Sequence, residues 1–183
     1  WNVSGNYGTC TKSVGIHVSG WDGSSWTEVT DPLEVDTLPC GFVVTPFDRY
    51  ALAMERDRPV IVADGLRACM WDGDMWAEMG AGSATGILGA RPNAREPTLG
   101  FDATGSGFLV WSEAGEIRAL QWNGTAWSPT SQSTASGRGL SGAMASDWVG
   151  MGAITVTDAG RPIVAWFDTY AVHLRAWDGS DWQ

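Results

Sequence analysis

A six-residue pattern, W-[DN]-G-x-x-W, occurs four times along this chain. The copies are Trp21-Asp22-Gly23-Ser24-Ser25-Trp26, Trp71-Asp72-Gly73-Asp74-Met75-Trp76, Trp122-Asn123-Gly124-Thr125-Ala126-Trp127 and Trp177-Asp178-Gly179-Ser180-Asp181-Trp182. The first Trp recurs after 50, 51 and 55 residues, and the copies hold eight of the 12 Trp in a chain of 183 residues. A fixed period of this length is the mark of stacked supersecondary units, none of which buries its apolar surface alone. The repeat therefore constrains the fold more than any other feature of the sequence.

Each copy carries hairpin chemistry. Asp-Gly and Asn-Gly are the preferred pairs for a two-residue type I′ turn, where both central residues need φ > 0. The residues before the turn alternate: three and five positions before the first Trp stand Val18 and Ile16, Ala68 and Leu66, Ala119 and Ile117, Leu174 and Val172. Period-two apolar placement predicts a strand with one consistently buried face. A second apolar run lies upstream, as in Val60-Ile61-Val62, Phe108-Leu109-Val110-Trp111 and Ile163-Val164-Ala165-Trp166. Trp111 and Trp166 stand 11 residues before the hairpin Trp, and Cys10 holds that offset in the first copy. Turn-rich segments precede these runs, and strand candidates such as Pro97–Phe101 and Ala153–Val156 come before them.

One unit thus reads as four antiparallel strands, a to d, joined by short turns, which is one blade of a β-propeller. The expected fold is all-β, with about three and a half to four repeats in a single repeat domain spanning 1–183. The blade units fall at approximately 1–29 (incomplete), 30–80, 81–130 and 131–183. Propellers use about four to eight blades. The chain is accordingly expected to be part of a longer protein, to close by association with another copy, or to form a four-bladed ring with one incomplete blade. An open end would expose a blade face lined with Trp and drive pairing.

Composition excludes several classes. With 44% hydrophobic residues and this Trp content, the chain is not intrinsically disordered. A formal net charge of −10 with no Lys/Arg cluster argues against nucleic acid as a partner. Apolar runs such as Ile163–Phe167 are far shorter than the ~18 residues of a spanning helix. The chain opens at Trp1 without a charged-then-apolar leader, as expected of a mature or trimmed product. Cys10, Cys40 and Cys69 lack metal-ligand spacing, and small buried apolar thiols are expected, with a Cys10–Cys40 disulfide as the alternative.

The repeat resembles the Trp-rich propeller repeats of secreted and surface bacterial proteins, among them sugar-binding propeller lectins in which a DG..W hairpin ends each blade. That resemblance implies carbohydrate binding at blade junctions, through Trp faces and polar partners, in an extracellular or cell-surface setting. Sialidase propellers carry a related S-x-D-x-G-x-x-W box, but here Asp and Gly are adjacent, so the catalytic analogy does not follow.

One register column is a candidate site. Four positions before each hairpin Trp stand His17, Arg67, Arg118 and His173, on the strand face opposite the apolar pairs. A cationic donor beside an indole suits sugar hydroxyls or an acidic sugar. The alternative is that these residues pair with carboxylates of the neighbouring blade or stack on Trp. Trp148, in the insertion Ser146–Gly150 that lengthens the last interval, is the other binding candidate, because it sits in a loop off the repeat. Trp21, Trp26, Trp71, Trp76, Trp122, Trp127, Trp177 and Trp182 read as structural wedges between blades, and Asp22, Asp72 and Asp178 as turn formers, with Asp57, Asp64, Asp158 and Asp168 also in turns. No carboxylate pair, calcium loop, His cluster or nucleotide loop is recognisable, so no catalytic residue, metal or cofactor is assigned. The expected function is a non-catalytic extracellular module that binds carbohydrate or serves as a recognition scaffold. The alternatives are a structural subunit that self-associates through open blade edges into rings or filaments, and a sialidase-like glycosidase.

Overall fold

A computed structural model describes residues 17–29, 49–80, 93–130, 139–141 and 149–183. Among them every regular element is a β-strand, and no helix is long and apolar enough to cross a membrane. The first sheet is the hairpin β1 (Ser19–Trp21) and β2 (Trp26–Glu28). The second holds β3 (Tyr50–Glu55), β4 (Arg58–Ala63), β5 (Arg67–Trp71) and β6 (Trp76–Glu78). The third holds β7 (Arg95–Phe101), β8 (Gly107–Glu113), β9 (Glu116–Trp122) and β10 (Trp127–Pro129). The fourth holds β11 (Val149–Val156), β12 (Pro162–Asp168) and β13 (Val172–Ala176), ended by a Trp177–Trp182 bridge.

Each sheet is an antiparallel meander in chain order. The leading strands pack in succession, β3 against β7 and β7 against β11. Consecutive four-stranded meanders stacked with their first strands together define a β-propeller. The second strands of the two middle blades, β4 and β8, are covered on both sides, which is why their sequences are continuous apolar runs rather than alternating ones, whereas one face of β12 is only half-buried. In β8, all residues but the last are buried.

Three apolar clusters fill the junctions, and they repeat one geometry. Between the first two sheets, Val18 meets Ile61, Ala63, Cys69, Trp71 and Trp76. Between the second and third, Leu66 and Ala68 meet Leu120 and Trp122. Between the third and fourth, Ile117 and Ala119 meet Trp166, Trp177 and Trp182. At these three junctions the apolar residues upstream of one turn thus face the next blade, and the hairpin Trp of that blade face back towards them. The expectation of one consistently buried face fails in the fourth sheet, where Val172 and Leu174 are exposed because no described blade follows them. Trp182 also lies edge-on to Phe108, at 6.2 Å and 81°, and its Nε1 donates to Thr130 Oγ1 of the third blade at 3.3 Å.

The hairpin turns differ from expectation. The two Trp of each copy pair directly across the strands, as Trp21–Trp26, Trp71–Trp76 and Trp122–Trp127. Only the Gly has positive φ, at 102° for Gly23, 109° for Gly73, 99° for Gly124 and 108° for Gly179. A positive φ at the Gly alone is not the I′ turn read from Asp-Gly, in which both central residues need φ > 0. Nothing lies within 4 Å of where a Cβ would sit, so the Gly answers to conformation, not crowding. The acidic residue works through its side chain: Asp22 Oδ1 accepts from the backbone N–H of Ser24 and Ser25, both at 2.8 Å. Asp72, Asn123 and Asp178 repeat this with the residues two and three further on.

The cysteine expectation also changes. Cys69 is fully buried and disulfide-bonded. Cys10 and Cys40, the remaining cysteines of the chain, lie outside the described residues.

Replacing Trp122 by Ala is expected to cost about 3–5 kcal/mol, because it empties a filled junction. Trp26→Ala, on an exposed face, is expected to cost less than about 1 kcal/mol. Urea unfolding of the two variants checks the contrast. A second prediction follows from the turns. Backbone N–H groups, those of Ser25 and Asp181 foremost, lower Asp22 and Asp178 from 3.8 to about 2, and those of Met75 and Asp74 lower Asp72. Their stabilisation is present above pH 3.8 and lost as pH falls through about 2. The triple change Asp22→Asn, Asp72→Asn, Asp178→Asn keeps an amide acceptor like that of Asn123. It is expected to fold at neutral pH and to show a flatter fall in melting temperature between those two pH values than the wild type.

Candidate functional site

Three members of the cationic column, His17, Arg118 and His173, are engaged within their own blades. His17 Nδ1 lies 2.7 Å from Glu28 Oε1 of the same hairpin. Arg118, on β9, pairs with Glu116 at 2.7 Å and Glu113 at 3.3 Å, both at the turn that begins its strand. His173 Nε2 lies 3.0 Å from Asp168, and its ring stacks on Trp166 at 5.4 Å and 17°. Arg67 opens β5 opposite Ala63 and is half-buried. The charge partners described for His17, Arg118 and His173 belong to the same blade, whereas the sequence alternative placed them in the neighbouring one. The reason is strand geometry: short turns put their carboxylates beside the basic residue at the same end of the sheet. Arg67 lies on the face of Cys69 and Trp71, towards the first sheet, and Arg118 on the face of Leu120 and Trp122, towards the second. The two do not converge as a sialidase-like site would require. Trp148 lies outside the described residues.

A cleft of about 590 Å³ opens where the leading strands come together, lined by Arg49, Tyr50, Ala51, Glu96, Pro97, Thr98 and Gly152. Its residues come from three blades: the start of β3, the start of β7 and the early part of β11. Two irregularities border it. The β7–β8 register shifts between Arg95 and Thr98, and the β11–β12 register shifts between Met151 and Ala153. Bulges re-aim side chains and concentrate beside functional sites. Within the first of them, Glu96 adopts φ 55°, a left-handed backbone that costs a non-Gly residue free energy and persists only where its surroundings enforce it.

Asp64 supplies that enforcement. It sits in the β4–β5 turn, and its Oδ1 accepts from the Glu96 N–H at 3.0 Å while Oδ2 accepts from the Arg49 N–H at 3.3 Å. Its own N–H donates to the Arg49 carbonyl at 2.9 Å. One turn carboxylate thereby fixes the starts of two leading strands in adjacent blades. The side chains it positions, Arg49 and Glu96, form an ion pair across the cleft. Beside them the Tyr50 ring stands largely exposed. The cleft therefore offers a guanidinium donor, a carboxylate acceptor and an aromatic face within one concavity. Its volume falls in the range of small-molecule pockets, roughly 300–1,000 Å³.

Sequence reasoning missed Arg49, Tyr50, Glu96, Thr98 and Gly152, and read Asp64 as a turn former only. The available signal was positional: Arg49-Tyr50 and Arg95-Glu96 place polar residues at the head of strand candidates that otherwise become apolar. Among the described residues, no group of three His, Cys, Asp or Glu side chains converges to hold a metal ion.

No protein-family model matches the chain, and no curated protein matches it. Among solved structures, it is similar to the β-propeller domain of the Trilobed protease from Pyrococcus furiosus, described as revealing an open velcro topology. The match has a TM-score of 0.45 at 13% identity and covers 76% of this chain and 41% of that one. The chain thus spans less than half the length of that structure.

Asp64→Ala is expected to destabilise the protein by about 1–3 kcal/mol, since it leaves two backbone donors without their acceptor. Thermal unfolding beside Asp57→Ala, a turn carboxylate at the other end of the same sheet, measures it.

Proposed function

We propose that this chain is a non-catalytic recognition module that binds carbohydrate in the cleft between its leading strands, with Arg49, Tyr50 and Glu96 as the contact residues. The observation that carries this reading is the exposed Tyr50 ring set beside the Arg49–Glu96 pair in a cleft of about 590 Å³. A pyranose has one face of C–H groups and a rim of hydroxyls. The C–H face packs on an aromatic ring, and the hydroxyls accept from a guanidinium and donate to a carboxylate, both in charge-assisted bonds. The bulges and the left-handed Glu96 backbone support the reading, because such irregularities recur where side chains are aimed at a ligand. The Cys69 disulfide supports an extracellular or cell-surface setting, where disulfides form and persist.

The test is a glycan array at neutral pH, followed by calorimetry on the glycans retained. Tyr50→Ala and Arg49→Ala are expected to weaken binding tenfold or more, about 1.4 kcal/mol each. His17→Ala, on an exposed hairpin at another sheet, is expected to bind as the wild type does. A wild-type protein that retains no glycan would overturn the proposal, as would unchanged affinity in the Tyr50 and Arg49 variants.

A further inference from the structure

The two ends of the blade stack are the two halves of the junction that the chain builds internally. At each junction the apolar pair upstream of one turn receives the hairpin Trp of the following blade, as Leu66 and Ala68 receive Trp122 and as Ile117 and Ala119 receive Trp177. The wedge Trp177 and Trp182 of the last hairpin are 8% and 4% exposed. Their equivalents in the first hairpin, Trp21 and Trp26, are 55% and 70% exposed, because no described blade precedes them. At the opposite end, the apolar pair of the fourth blade, Val172 and Leu174, is 72% and 66% exposed. Among the described residues, one end therefore presents a wedge without a seat, and the other a seat without a wedge.

We propose that a second copy of this chain docks its first hairpin, through Trp21 and Trp26, onto Val172 and Leu174 of the fourth blade, head to tail. The occupant follows from the repeat: the surface shaped to cover Leu174 is a W-[DN]-G-x-x-W hairpin, and this chain carries one whose Trp are uncovered. Four units that closed on themselves would bury these two faces against each other, yet among the described residues both are exposed. Two chains bring about eight units, within the span of propellers. The contact is heterologous, joining two different patches, and it therefore continues until rotation closes the ring. This inference is independent of the carbohydrate reading, since none of its four residues lines the cleft.

The experiment uses two surface variants, Leu174→Glu and Trp26→Glu, whose exposed positions leave the fold intact, with circular dichroism as the check. Light scattering coupled to size exclusion, over a concentration series, is expected to show the wild type at two or more chains. Each variant alone is expected to be monomeric, because each lacks one half of the junction. An equimolar mixture is expected to recover a heterodimer, since the Leu174→Glu chain still offers its Trp hairpin and the Trp26→Glu chain its apolar seat. A wild type that stays monomeric throughout overturns the proposal. Association retained by either variant alone also overturns it, because it would show like faces pairing with like.

Discussion

Everything in this molecule depends on one contact: a hairpin Trp seated on two apolar residues of the preceding blade. A single meander of short strands has two apolar faces and too little of its own interior to bury them. Seating Trp122 over Leu66 and Ala68, and Trp177 over Ile117 and Ala119, covers both faces at once. Such a contact makes stability a matter of neighbours, as in other repeat architectures, where each unit is held mainly by the one beside it. It also explains why so rigid a sequence rule governs so few residues. Two Trp must stand on the same side of a hairpin at a fixed turn length, and the turn between them must hold that spacing.

The turn is built to do so, and here the sequence was only half legible. The Asp-Gly and Asn-Gly pairs announce a hairpin, and the period-two apolar placement marks the buried face of the third strand in the two middle blades. They do not reveal which residue bends. In the structure the Gly alone takes positive φ, and the acidic or amide side chain folds over the next residues to cap their N–H groups. Asn123 does the work of Asp22, which shows that the carbonyl-type oxygen matters more than the charge. The cationic column was legible in its strand face but not in its partners. The carboxylates that engage Arg118 and His173 come from the turns that open their own strands, a three-dimensional proximity hidden in a pattern read along one strand.

The cleft was illegible for a different reason. The repeat lies in the third and fourth strands of each blade, while the cleft is walled by first strands, whose sequences share no motif. Its shape rests on two register shifts and on one left-handed Glu96, none of which leaves a mark in residue types. What the sequence did contain was Asp64, whose turn position was recognised and whose reach into the next blade was not. Order in the stacked hairpins and irregularity in the leading strands are complementary. The regular outer strands over-determine the blade positions, and that surplus of constraint holds Glu96 in a backbone it would otherwise leave.

Charge then bears on how open ends behave. A net charge of −10 makes copies of this chain repel one another at long range. That repulsion falls off within about 10 Å at moderate salt, whereas burial of apolar surface acts only at contact. Two exposed Trp and two exposed aliphatic side chains supply a contact gain only where wedge and seat are in register. Misaligned encounters keep the repulsion and gain little burial. In the head-to-tail junction proposed above, the net negative charge would thus act as a filter, discouraging non-specific clustering of the exposed apolar ends while leaving the complementary contact favoured.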